Sequence, residues 1–260
     1  MLEKFFREVI RDIEVPAKGK SLLALAEAPG EDGAVPKPFA LGPLGAGSDY
    51  VAFVHHAGIP SLNLSFGGAG ASGTYHSIYD SYAWFSTQMD KDFQYSRLLA
   101  QVMGTSMLRM SEAPLVPHDF QAVARVVRQW AGEIKTQYSK LDLSEVNKSI
   151  DALDTAAKRY QDASSSTPDA AKVAAANKVL IGAERALTRQ AGLPGRDWYR
   201  NQLYAPGLYT GYSARTLPGI REAADLGKMD EAKQQAGLLA ETLREFTALV
   251  DRAANALQAR

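Results

Sequence analysis

No cysteine occurs among the 260 residues. Disulfides, cysteine nucleophiles and cysteine metal sites are therefore excluded, while the compartment stays open because secreted proteins can also lack cysteine. Histidine is scarce, with four residues, and none stands in the HExxH pattern of helical zinc proteases. An excess of either charge is absent: 29 Lys and Arg balance 29 Asp and Glu. A general electrostatic grip on nucleic acid or an anionic membrane is thus not expected. No apolar run approaches the roughly 20 residues that span a bilayer. The N-terminal Met1-Leu2-Glu3-Lys4-Phe5-Phe6 mixes both charge signs and does not read as a secretory signal. What is present, 46% hydrophobic and 22% charged residues, is the balance of a globular chain. At roughly 150 residues per domain, the length allows one large domain or two modest ones.

Two textures divide the chain near Pro114 and Pro117. Before them, short helical and strand-like patterns alternate with loops. Leu2, Phe5, Phe6, Val9, Ile10 and Ile13 recur at helical spacing until Pro16. Residues 28–47 read as a long loop. Asp49 is placed to cap a short helix, Tyr50 to Ala57, that Gly58 stops. Ile59 to Phe66 alternates as a strand would, with Leu62, Leu64 and Phe66 on one face. Gly67-Gly68-Ala69-Gly70 opens a flexible loop, and Asp92 starts a helix striped by Tyr95, Leu98, Leu99, Val102, Met103, Met107 and Met110.

After the prolines, four amphipathic stripes follow. They are Val123 to Tyr138, Val146 to Tyr160, Val173 to Leu187 (ending at Gly192) and Ala236 to Val250. Thr167-Pro168 supplies a cap and a first helical residue for the third. Residues 193–218 are irregular and rich in Tyr, Gly and Pro. Four stripes with one long crossover predict a helical bundle. The fold class is α-rich α+β.

Taken residue by residue, most chemical signals have bland explanations. His55 and His56 read as surface or capping residues and His118 as a cap. Gly42, Gly45 and Gly47 lack the leading strand of a phosphate loop. Ser48 and Ser77 have no evident partner base. Met103, Met107 and Met110 read as core filler. Tyr199, Tyr204, Tyr209 and Tyr212 either line a pocket or pack a long connection, and both readings stay open. His76 differs, because it follows a glycine-rich loop and sits among tyrosines. A histidine so placed can ligate a metal while a phenol supports an oxyanion.

Tyr75-His76-Ser77-Ile78-Tyr79-Asp80 resembles the YHS-x-Y-[DE] motif of the glutamate carboxypeptidase II and transferrin receptor family, the M28B type of zinc peptidase. Leu44-Gly45-Ala46-Gly47-Ser48-Asp49-Tyr50 is similar to that family's GSGSD/GSGND segment, and Gly58-Ile59-Pro60-Ser61 follows at the matching distance. Gly192 to Arg196, Tyr199-Arg200, Tyr204-Ala205-Pro206 and Leu217 to Ile220 resemble its C-terminal transferrin-receptor-like dimerisation domain. The resemblance covers nearly the whole chain in order.

It implies that residues 1–113 are the C-terminal segment of an α/β zinc-peptidase domain, and that 114–260 form a four-helix-bundle-like helical domain that makes a homodimer. It implies His76 as a ligand to one of two zinc ions, Tyr75 as the catalytic oxyanion donor, and Ser48 and Tyr212 as substrate-binding residues. Gly211 stands where the family has a lysine, and Asn63 and Ser65 where it has arginines, so a neutral peptide substrate fits better than an acidic one. Residues 1–41 hold no histidine, and the remaining zinc ligands and the glutamate base of the family are not recognised here. The expectation is the C-terminal portion of a zinc-dependent exopeptidase, inactive and not retaining zinc alone. The alternative is a non-catalytic dimerisation or partner-binding module. Localisation stays open: the resemblance is compatible with an extracellular, periplasmic or membrane-anchored full-length parent, with no membrane contact from this segment.

Overall fold

The computed structural model describes residues 1–16, 18–29, 35–67, 74–166 and 169–258. It divides into two compact units. The smaller comprises Lys4–Ala40 and Asn63–Ala113, and the larger Met1–Glu3, Leu41–Leu62 and Pro114–Arg260. No described helix is long and apolar enough to cross a membrane.

In the smaller unit, α1 (Glu3–Arg11) buries Phe5, Phe6, Val9 and Ile10 on one face, as their spacing predicts. A minimal hairpin follows, β1 (Glu14–Val15) against β2 (Lys20–Ser21). Ser21 Oγ then accepts the Ala24 amide at 3.2 Å and caps α2 (Leu22–Ala26). The sequence pattern signals neither element. The long loop is tethered by Arg7, which pairs with Glu27 at 2.6 Å and donates to the Phe39 carbonyl at 2.7 Å. Glu27 also accepts the Phe39 amide at 2.8 Å.

The segment from Ile59 to Phe66 corrects an expectation: it forms no strand. Paired strands among the described residues occur only in two short hairpins, and neither includes it. Alternation marks a strand only where a neighbour completes the ladder, and Pro60 has no amide to offer one. Gly68, Ala69 and Gly70, read as a flexible loop, lie outside the described residues.

Ser81 caps α3 (Tyr82–Trp84), which runs into a π-helical turn at Phe85–Met89. Helix α4 (Gln94–Glu112) starts two residues later than predicted. Asp90, not Asp92, accepts the amides of Tyr95 and Ser96, at 3.2 and 2.8 Å. Only Leu98 and Val102 of its stripe are buried. Met103 and Met107 are exposed, so the core-filler reading fails for them.

The larger unit holds the main core. Helices α5 (Phe120–Gln137), α6 (Ser144–Ser165) and α7 (Ala170–Leu180) carry the first three stripes. Asp119, rather than His118, caps α5 by accepting the Ala122 amide at 3.0 Å. Thr167 and Pro168 lie outside the described residues, and Asp169 caps α7 through the Lys172 amide at 2.9 Å. Helix α7 stops at Leu180, short of the predicted Gly192. The amides of Gly182 and Ala183 bond three residues back, to Val179 and Leu180, and tighten the chain into a turn. A 3₁₀ turn, Arg185–Leu187, follows.

The connection read as irregular contains a hairpin, β3 (Tyr204–Pro206) with β4 (Ala214–Thr216). Helices α8 (Pro218–Asp225) and α9 (Met229–Gln258) complete the unit. Helices α6, α7 and α8 all lie along α9, and α5 lies along α6. At the centre, Phe120 meets Tyr160 and Phe246 edge-on, with centroids 5.0 and 5.6 Å apart. Such pairs add to the burial of the rings.

Candidate functional site

Tyr75 and His76 lie in the smaller unit, and Ser48 and Tyr212 in the larger. Each pair is built differently.

Tyr75 and His76 sit on a tight turn. The Ser77 amide and hydroxyl both donate to the Thr74 carbonyl, at 2.9 and 2.7 Å, and the Asp80 amide donates to the Ser77 carbonyl at 3.1 Å. Side chains are thereby thrown outward: Tyr75, His76, Ile78 and Tyr79 are all exposed. His76 has φ 63°, a left-handed conformation uncommon outside glycine, and its ring stacks on that of Tyr75 with centroids 3.8 Å apart.

Ser48 and Tyr212 are brought close through backbone. The Ala46 amide donates to the Tyr212 carbonyl at 2.8 Å, which lays the 44–48 strap beside the loop joining β3 to β4. Gly45 makes this approach possible, because a Cβ there would stand 1.9 Å from the Tyr212 carbonyl oxygen. Both Ser48 and Tyr212 present their side chains to solvent.

Under the strap lies a polar cluster that residue patterns do not reveal. A π-helix, Ala52–Ala57, ends at Gly58 in the left-handed conformation and carries His55. His55 is fully buried, against its expected surface role. Its Nε2 lies 2.8 Å from the Gly45 carbonyl. The His55 carbonyl in turn accepts the amides of Arg200 and Asn201, at 2.7 and 3.2 Å. Asn201, also fully buried, donates to Glu184 at 3.2 Å and accepts the Leu203 amide at 2.9 Å. Tyr204 donates to the same carboxylate at 3.4 Å. Burial pushes the Glu184 carboxyl and the Tyr204 phenol up and pushes the His55 imidazole down. His56 is not buried. Its Nδ1 lies 2.8 Å from the Trp198 carbonyl and its ring stacks on that indole.

Arg196 and Glu222 hold the loop that leads to Tyr212. The guanidinium reaches both carboxylate oxygens at 2.7 Å and also donates to the Pro206 carbonyl. Glu222 accepts the Leu208 amide at 2.9 Å. The pair is 11% and 14% exposed. A lone arginine in a glycine-proline stretch gives no sign of a carboxylate 26 residues away.

His118 has a consequence for stability. Burial, with the amino-terminal charge adding to it, pushes its imidazole down to about 4. The unfolded chain therefore binds a proton near pH 6.5 that the folded chain refuses, and stability falls as pH drops from about 6.5 toward about 4. His55 acts in the same direction and Glu184 in the opposite one above its ordinary carboxyl range. His118→Gln isolates the first contribution. Urea unfolding at pH 7.0 and 4.5 is expected to show the variant losing about 2 kcal/mol less than the parent chain over that interval. Equal losses would contradict the assignment.

Zinc normally takes about four ligands. Among the described residues no three His, Asp or Glu side chains are gathered to hold a metal ion. His76 by itself does not make a dinuclear zinc site, and the donor set of the described residues does not fit one.

The model of the transferrin receptor-like dimerisation domain matches residues 119–251, which spans α5 to most of α9. A probable glutamate carboxypeptidase of Arabidopsis thaliana is 35% identical over 186 residues, covering 71% of this chain and 27% of the relative. The aminopeptidase NAALADL1 of Rattus norvegicus is 27% identical, covering 81% and 30%. An inactive zinc metalloprotease of Schizosaccharomyces pombe is 26% identical, covering 81% and 28%. The chain thus spans under a third of the length of these relatives. With its helical unit matched to the domain model and its similarity reaching well beyond that unit, the chain belongs to the glutamate carboxypeptidase and transferrin receptor family.

Proposed function

We propose that this chain is the C-terminal portion of a zinc-dependent exopeptidase and is inactive by itself. The observation that carries the reading is the 35% identity to a probable glutamate carboxypeptidase over 71% of the chain. In this reading residues 1–113 end a peptidase α/β domain, and 114–260 are the helical domain through which two copies pair. His76 is a zinc ligand, Tyr75 the oxyanion donor, and Ser48 and Tyr212 touch the substrate. The outward-facing turn supports a role there, since it leaves the His76 imidazole accessible to a metal ion. Gly211, Asn63 and Ser65 favour a neutral peptide, because none can pair with a substrate carboxylate as a cation would.

The inactive relative in Schizosaccharomyces pombe supports a second reading, a non-catalytic pairing module. Two measurements separate the readings. Equilibrated with zinc and freed of excess, the chain is expected to retain close to none. About two ions per chain, lost on His76→Ala, would overturn the fragment reading. In a chimera carrying these 260 residues in place of the matching part of an active glutamate carboxypeptidase, zinc-dependent peptide hydrolysis that His76→Ala abolishes is expected. A folded, zinc-loaded but inactive chimera would overturn the enzyme reading in favour of the second.

A further inference from the structure

We infer that His55 is a positioning residue for the Ser48–Tyr212 pair, acting through the 44–48 strap; its bearing on substrate rests on the reading that those two residues touch it. The geometry is a chain of single contacts. Gly45 offers its carbonyl to His55 Nε2 at 2.8 Å, and the next amide, that of Ala46, donates to the Tyr212 carbonyl at 2.8 Å. The peptide between Gly45 and Ala46 is therefore held from both sides, by the imidazole below and by the Tyr212 backbone beside it. A carbonyl oxygen only accepts, so Nε2 carries the proton and Nδ1 carries the lone pair. That Nδ1 is buried with no hydrogen-bond partner, so the Gly45 contact is the ring's one hydrogen bond, with the Leu44 and Tyr204 backbone also close to it.

His55 is itself fixed. Its carbonyl takes the amides of Arg200 and Asn201, and its ring packs against Tyr199 and Tyr204, with centroids 6.2 and 5.8 Å away. The strap is thus referenced to the same segment, Arg200–Tyr204, that begins the β3–β4 hairpin carrying Tyr212. Losing the Nε2 donor frees one side of the peptide and leaves a carbonyl without its partner. The strap then gains freedom relative to Tyr212, while the helices of the bundle are expected to keep their packing.

His55→Gln and His55→Met test this as a pair, because the two side chains are close in size and only glutamine supplies an N–H donor. In amide hydrogen exchange on this chain, His55→Met is expected to speed exchange at Ala46 by tenfold or more, with α9 amides unchanged and His55→Gln within about threefold of the parent chain. Folding of His55→Gln but not of His55→Met would overturn the strap role, because the donor would then support the whole fold and not the strap alone. Unchanged Ala46 exchange in a folded His55→Met, or failure of both variants to fold, would overturn it by showing that ring shape, not the donor, is what the site needs. In the active chimera, His55→Met should raise KM about tenfold with kcat within twofold, and His55→Gln should restore it. An exchange effect without a KM effect would leave the strap role standing and remove Ser48 and Tyr212 as substrate contacts.

Discussion

Phe246→Ala is expected to lower the unfolding free energy by about 3–5 kcal/mol, the range for emptying a fully buried aromatic position. Phe246 has no solvent exposure and stands where α9 faces Phe120 of α5, which also meets Tyr160 of α6. Truncation therefore removes an edge-on ring contact as well as burial, and three helices would have to move together to refill the space. Collapse is hindered because α6, α7 and α8 all use α9 as their common support. Urea unfolding followed by circular dichroism measures the change, and a loss below about 1 kcal/mol would mean that the core repacks freely. Phe246→Leu, which keeps most of the volume, is expected to cost less than half as much.

Glu222→Gln is expected to cost about 3 kcal/mol, because it leaves the Arg196 guanidinium poorly compensated in a site largely closed to water. The carboxylate accepts two guanidinium bonds and the Leu208 amide, so its loss also loosens residues 206–210 ahead of Tyr212. The paired change Arg196→Met with Glu222→Leu should recover much of the loss, since a buried ion pair contributes little net stability over apolar groups that fill the same space. A double-mutant cycle measures this, and additive single effects would show that the two side chains do not act together. Faster amide exchange at Leu208, with α9 unchanged, would locate the damage in the loop. Surface pairs such as Lys158 with Asp162 should show no comparable effect, because exposed ions stay solvated whether or not they meet.

Local pattern reached the helices of the larger unit because a 3.6-residue apolar stripe specifies both helix and buried face. Val146, Ile150, Leu153, Ala157 and Tyr160 are read from spacing alone and are all buried in α6. The same logic failed at α4, where apolar spacing is present but Met103 and Met107 face solvent. Spacing defines a face, while burial requires something to cover it. It failed again between Ile59 and Phe66, where alternation is present without a ladder partner. His76 stands out by its glycine-rich loop and neighbouring tyrosines, while Tyr75, Ser48 and Tyr212 are candidates through motif resemblance only, since no local rule marks an exposed tyrosine or serine as a contact.

By itself, then, the sequence determined the helical half, the family and the candidate motif residues, because periodicity and motifs are properties of neighbouring positions. Only the tertiary structure decided that His55 is a buried donor to Gly45, that Asn201 joins Glu184 to the Arg200–Tyr204 segment, and that Arg196 finds Glu222. Those pairings span 10, 17 and 26 residues, and no local rule relates such positions. A histidine, an asparagine or an arginine has the same chemistry at the surface and in the core. What differs is whether the fold takes away the water and supplies one partner in its place.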